Sequence, residues 1–391
     1  MMNRRDFLRL SALFTAAGAL PLLQACERKQ NHSTNEQTLK IGYLPIADSA
    51  PLLVAHHLGL FEEAGVQTEK PVLFRNWASL VEAFFAGEVN VVHILSPMAV
   101  WARFSSLAPV QCVAWNHIDG SALTVANNIN NIKELAGKTV AIPFWYSIHN
   151  ILLQSLLKNA GLTATDKENP STNEVRLVVM PPSDMLSALA NNAISGYIVA
   201  EPFNAAAEIK QVGKIMRFTG DIWRQHACCV VLMKEADIHN RTEWTQGVID
   251  SLVQAQIWIK NNRLETANIL SKNHPNPYTP HEEKVLQKVF SPSDEDLAHY
   301  LHNHALSGNL KNWQRIDFQP YPFISYYEKL IELLEQTYLP NDTAFLNKLN
   351  PNQAAQELVN DSFVRKAIEK HQAQQLFDIP TNWTRKEEIG V

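Results

Sequence analysis

Four places in this 391-residue chain combine the end of an apolar run, a helix-opening residue and side chains able to grip a polar solute. They are 46–51, with Asp48 and Ser49; 95–98, with Ser96; 143–150, with Trp145, Tyr146 and His149; and 200–204, with Glu201. Free backbone N–H groups and the positive end of a helix dipole collect at such junctions. If the four converge, they hold an anionic or strongly polar ligand with no basic side chain required. Trp77 at a helix start and His93 within a strand stand between them. Each has a plainer role open to it: Trp77 and His93 as core residues, Glu201 as a helix cap. The run Phe144-Trp145-Tyr146 cannot turn every ring inward, so at least one ring is expected to be exposed, as on a binding surface.

Nothing at these positions has the spacing of a nucleophile–base pair, and no cofactor is expected. The cysteines give no zinc spacing. Cys112, Cys228 and Cys229 read as buried thiols on β segments, since adjacent cysteines pair only with backbone strain. His302 and His304 do not share a helix face, so the tract containing His299 offers no metal site either.

The elements that must position these residues alternate. Short β-type runs occur at 39–44, 89–95, 110–115, 122–126, 139–142, 175–180, 196–200 and 228–233. Most are continuous rather than alternating apolar runs, as in strands covered on both faces. Between them lie helices with readable ends. Asp48-Ser49 opens one through His57; Arg75 or Asn76 precedes 77–86, stopped at Gly87; Ser96-Pro97 opens another. Ser147 caps 148–159, Ser183 caps 184–191, and Glu201-Pro202 opens 203–211. Such alternation implies largely parallel sheets with helices on both faces, with ligands at the carboxyl ends of the strands. After Lys234 the pattern turns helical, over 245–260, 265–271, 280–289, 295–306, 326–338 and 352–375, with a proline-rich connector at 318–322.

With 46% hydrophobic residues the chain can outweigh its conformational entropy, which excludes disorder, and its length suggests two or three lobes. Against 39 acidic residues there are 34 basic ones, which gives no electrostatic reason to expect nucleic acid. Residues 1–25 read as an export signal: Arg4-Arg5 before Phe7-Leu8, then an apolar run too short to span a bilayer comfortably. The paired arginines look like a twin-arginine signature. The ending Leu23-Gln24-Ala25-Cys26 resembles a lipobox, which implies cleavage before Cys26 and acylation of its thiol. Residues 26–38, polar after that cysteine, read as a flexible tether. No later stretch is apolar enough to cross a membrane.

The stretch 40–61, Lys-Ile-Gly-Tyr-Leu-Pro-Ile-Ala-Asp-Ser-Ala-Pro-Leu-Leu-Val-Ala-His-His-Leu-Gly-Leu-Phe, resembles the start of the nitrate/sulfonate/bicarbonate-type substrate-binding proteins of bacterial ABC importers. Trp77-Ala-Ser-Leu, Val92-His-Ile-Leu-Ser-Pro-Met, Ser147-Ile-His-Asn, Met180-Pro-Pro-Ser-Asp-Met and Ala200-Glu-Pro-Phe-Asn resemble further segments of that family in the same order, over about 39–234. The resemblance implies a type II periplasmic-binding-protein fold: two doubly wound α/β lobes around a cleft, with a helical C-terminal extension. Lobe I would comprise 39–122 and 225–391, lobe II 123–224, with crossings near 122–125 and 220–227. The implied protein is a monomeric, non-catalytic receptor, lipid-anchored at the periplasmic face, that hands a small solute to a permease and its ATPase. Ser147-Ile-His-Asn stands where the nitrate branch carries a Thr-His-Asp element that contacts the anion. That branch also has a glycine pair where Trp145-Tyr146 stand, and a lysine near the stretch occupied here by His226-Ala227-Cys228-Cys229. A lost charge and added rings favour a larger, partly aromatic or neutral ligand over small inorganic anions, with His226 among the contacts. An enzyme related to pyrimidine-precursor synthases on the same fold is the rival, with His149 and Glu201 as acid and base. A receptor that signals rather than transports is a third class.

Overall fold

The computed structural model describes residues 38–307, 313–340 and 343–390. The export signal, Cys26 and all of the tether but Thr38 lie outside the described residues. The first strands, β1 (Ile41–Tyr43), β2 (Val72–Leu73), β3 (Val91–Leu95) and β4 (Val110–Trp115), belong to one sheet. A short β5 (Ile118–Asp119) follows. A second sheet is then built from β6 (Ser121–Val125), β7 (Thr139–Ile142), β8 (Thr163–Thr165), β9 (Glu174–Val179), β10 (Gly196–Ala200) and β11 (Lys214–Phe218). The chain returns to the first sheet as β12 (Cys229–Lys234), and β13 (Ile316–Asp317) later pairs with β5. The orders are β2-β1-β3-β12-β4 and β11-β6-β10-β7-β9-β8.

Both sheets are mixed rather than largely parallel. β12 runs antiparallel to β3 and β4, and β6 runs antiparallel to β10 and β11. The reversed strand in each case follows a crossing, so it enters its sheet from the other lobe instead of through a helical crossover. Residues 122–125 lie inside β6, and the chain changes sheets at 116–120 and between β11 and β12. The apolar runs at β3 and β10 read as expected, with all five residues of each buried, as in strands covered on both faces, whereas β9 is buried only at alternate residues.

Of the helix starts read from the sequence between 48 and 203, two depart from local chemistry. Asn76 accepts from the Ser79 N–H, Gly87 ends that helix at φ 80°, and Ser147 accepts from the Asn150 N–H at 3.1 Å. Ser183 caps nothing: the helix begins one residue earlier, at Pro182 (Pro182–Ala190), and the hydroxyl bonds Asp184. Asp48 and Ser49 make no side-chain cap either, because the Asp48 carboxylate faces another side chain and Ser49 donates to the Ile46 carbonyl.

The C-terminal helices span both lobes. The expected helix over 352–375 is two, Pro351–Leu358 and Ser362–Lys370, broken where Val359 bridges Cys112 and the Asn360 N–H bonds the Cys112 carbonyl. Helix Ile324–Glu335 lays Tyr326 and Tyr327 against Trp115 of β4. Just beyond it, Tyr338 bonds Gln154 and Asp166 of the second lobe.

Gly120 joins β5 to β6 at φ +80°, where an added Cβ would stand 2.8 Å from the Ile316 side chain and 3.3 Å from His117 Nδ1. A side chain there is strained by its backbone as well as its neighbours. Gly120→Ala is expected to lower the unfolding free energy by about 1–3 kcal/mol, read as a lower urea midpoint with unchanged slope. A midpoint equal to wild type would remove the constraint assigned to this crossing.

Candidate functional site

Asp48 comes from the turn Ala47–Ser49 after β1, Trp77 from the first position of helix Trp77–Ala86, and His93 from the middle of β3. His149 enters from the second lobe, in the first turn of helix Ile148–Asn159. Two further contributors come from the crossings: Asn116 and His117 after β4, and Cys228 and Cys229 at the head of β12. All of these are buried. The His117 Nε2 lies 2.9 Å from Asp48 Oδ2. Cys228 Sγ is 3.6 Å from Cys229 Sγ and 3.7 Å from His149 Nε2, and that same nitrogen is 2.9 Å from Ser121 Oγ. The Trp77 and His93 rings are 5.8 Å apart. The two sheets and the two crossings therefore meet in one polar centre.

Its charges are set by burial and by each other. Burial pushes the Asp48 carboxyl up to about 6, with His117 pulling the other way. For His117 burial opposes the charge, but Asp48 overrides it and raises the ring to about 10. Each thus favours the charged form of the other. His93, buried and near His117, is driven down to about 3 and is neutral. Burial would raise the Cys228 thiol, but Cys229, His149 and His117 pull it well below the usual range, while burial and Cys228 push Cys229 up.

Several buried polar atoms here have no hydrogen-bond partner among the described residues: Trp77 Nε1, both ring nitrogens of His93, both side-chain polar atoms of Asn116, and His149 Nδ1. Buried polar groups in folded proteins are bonded as a rule, and leaving one unpaired costs about 1–3 kcal/mol. A cluster of such atoms drawn from separate elements can complete its hydrogen bonding with a bound molecule.

The remaining expected contacts have structural partners. Ser49 is bonded to the Ile46 carbonyl, and Ser96 Oγ sits 2.7 Å from Tyr326 Oη and donates to the Ala227 carbonyl. Glu201 pairs with Arg315 and accepts from the Ala205 N–H, so it is held in the fold and caps its helix. His226 lies at the second crossing, its Nδ1 2.9 Å from the Trp223 carbonyl and 3.5 Å from Asp119, with Nε2 unpartnered. None of Phe144, Trp145 and Tyr146 is exposed. The C-terminal extension covers them: Trp145 stands edge-on to Tyr338, and Tyr146 lies between Trp101 and Phe345. Asn116, His117, Cys228 and Cys229 are the members the sequence reading did not place in the site. The usable signal was their position at the two crossings, where strand order reverses and ligands gather.

Two α/β sheets traversed twice, with a polar centre at the crossings, define a periplasmic-binding-protein fold. The structure aligns with the crystal structure of the periplasmic nitrate-binding protein NrtA from Synechocystis PCC 6803 at a TM-score of 0.73 and 18% identity, over 89% of this chain and 92% of that one. It aligns with the periplasmic aliphatic sulphonate-binding protein SsuA from Escherichia coli at 0.52 and 17%, over 85% and 91%. The chain belongs to the NMT1-like family, whose model matches residues 32–272. In sequence it is 26% identical to the nitrate/nitrite binding protein NrtA of Nostoc sp. over 255 residues, 59% of this chain and 56% of that protein. It is 25% identical to the bicarbonate transport ATP-binding protein CmpC of Synechocystis sp. over 263 residues, 61% of this chain and 38% of that protein. The chain thus matches little more than half the length of the first relative and less of the second. Among the described residues, no helix is long and apolar enough to cross a membrane.

Proposed function

We propose that this chain is the extracytoplasmic solute receptor of an ABC importer, binding its solute without altering it. The observation that carries the reading is the cluster of buried polar atoms, unpartnered among the described residues, contributed by both lobes and by the first crossing. A solute in contact with both lobes favours the closed form by as much as its differential affinity for it. Trp77 Nε1 can only donate, so the solute must offer an acceptor, and the Asn116 amide can serve a donor as well. That suits a small anionic solute of the nitrate, sulfonate or bicarbonate kind, or a small heterocycle. The paired Arg4-Arg5 and the ending at Cys26 support export and acylation, which would keep the receptor beside a permease and its ATPase. The domain boundaries proposed are lobe I over 39–115 and from 229 onward, and lobe II over 121–218.

The test is native mass spectrometry of the purified chain, followed by calorimetry with nitrate, bicarbonate and alkanesulfonates. One solute per chain, released chemically unchanged, is the expected result. Conversion of the solute to a product would replace the receptor by an enzyme. No binding to any member of the panel, and no co-purifying solute, would end the receptor reading.

A further inference from the structure

The four residues at the base of the polar centre have a second chemistry. Asp48, His117, Cys228 and Cys229 are all buried, and one ligand atom from each lies within 4.8 Å of every other. The two sulfurs, 3.6 Å apart, are not joined in a disulfide. Around a tetrahedral zinc with Zn–S bonds of about 2.3 Å, two thiolate sulfurs stand roughly 3.8 Å apart. Neighbouring residues of a regular strand point to opposite faces. Here Cys228 lies in a bend just before β12, so its sulfur can share a side with that of Cys229. Among the described residues, no lysine, arginine or backbone N–H bonds the Asp48 carboxylate; the His117 ring, the thiols and His149 are the groups near it. The four come from three separate stretches of chain, the turn after β1 and the two crossings, so the arrangement is made by the fold.

We propose that Asp48, His117, Cys228 and Cys229 bind one thiophilic, tetrahedral cation of the Zn²⁺ class at the crossings. Two sulfurs with one imidazole select such an ion over Mg²⁺ or Ca²⁺, which take oxygen ligands. On binding, the proton on the ligating nitrogen of His117 and those still held by the thiols pass to solvent as the metal–nitrogen and metal–sulfur bonds form. The ion ties β12 to the β4–β5 connection and to the turn after β1, and so fixes both crossings. His149, held by Ser121, stands beside the set at 3.7 Å from Cys228. The inference does not depend on which solute the receptor takes.

The experiment uses the full chain carrying Cys26→Ser, so that the leader thiol cannot compete, reduced and without added solute. Zn²⁺ is titrated against a chromophoric chelator, and Co²⁺ is substituted to record its spectrum. One equivalent per chain is expected, with a thiolate-to-cobalt charge-transfer band in the near ultraviolet and strong tetrahedral visible bands. Cys228→Ser with Cys229→Ser should abolish the band and weaken Zn²⁺ binding at least 100-fold. Cys112→Ser, whose sulfur lies against Tyr327 rather than in the set, should leave both unchanged. Cys26→Ser protein without the sulfur band overturns the proposal even if the double variant does not fold, and so does Zn²⁺ retained at full stoichiometry in a folded double variant. Solute calorimetry on metal-free protein reads the receptor function separately.

Discussion

Replacing Arg315 with methionine is expected to lower the unfolding free energy by about 3–5 kcal/mol. The guanidinium is wholly buried between two carboxylates: Nε stands 2.5 Å from Glu201 Oε1, and another nitrogen 2.8 Å from Glu208 Oε2 and 2.6 Å from Tyr300 Oη. It also lies over the Phe218 ring. A buried pair of this kind returns little net stability, because desolvation opposes the attraction. Losing one partner is costly, since it leaves Glu201 without a counter-charge in a place where burial already pushes its pKa up. The network joins the C-terminal extension to β10 and to the helix after it, so the loss falls on the contact that holds the extension on lobe II. Urea unfolding measures it, and a loss under about 1 kcal/mol would show that the network does not stabilise the fold. Adding Glu201→Gln should restore part of the stability by removing the stranded charge, which tells a charge effect from a packing defect.

The same residues mark where the sequence was legible. β4, β7 and β10 run over the residues their apolar patterns indicate, and helix 77–86 begins and ends at its Asn and Gly signals. These depend on neighbours a few positions away. Asp48, Trp77, His93 and His149 stand close together for a related reason: strand ends and helix starts are visible locally, and the fold gathers them. Glu201 stands at such a junction too, yet its partner is an arginine 114 residues on, in a stretch without periodicity. Ser96 likewise is taken by Tyr326, 230 residues away. The aromatic run at 144–146 was expected to present a ring to solvent, but a tyrosine and a phenylalanine from beyond residue 335 cover it. Asn116 and His117 went unread, and Cys228 and Cys229 were read only as buried thiols, because their shared chemistry exists only between crossings far apart in the chain. Spacing within one segment cannot reveal a ligand set assembled from 48, 117 and 228–229.

His149→Ala is expected to weaken binding of the best-bound solute from the nitrate, bicarbonate and alkanesulfonate panel by roughly 10- to 100-fold. That range is the loss of one hydrogen bond to a charged group, about 1.5–3 kcal/mol. His149 is the ring that the second lobe brings to the centre. Ser121 holds its Nε2 at 2.9 Å, which fixes the ring and leaves Nδ1 without a protein partner. His93→Ala, from the opposite sheet, is expected to cost a similar factor, because neither of its nitrogens has a protein partner. Calorimetry on both variants, with thermal midpoints to establish folding, makes the comparison. A solute clasped by both lobes must register both losses, and the double variant should bind too weakly to measure. Affinity unchanged in a folded His149→Ala protein would leave the second lobe without this contact. The solute would then rest on the first lobe alone, and closure would have no ligand-dependent driving force through this ring.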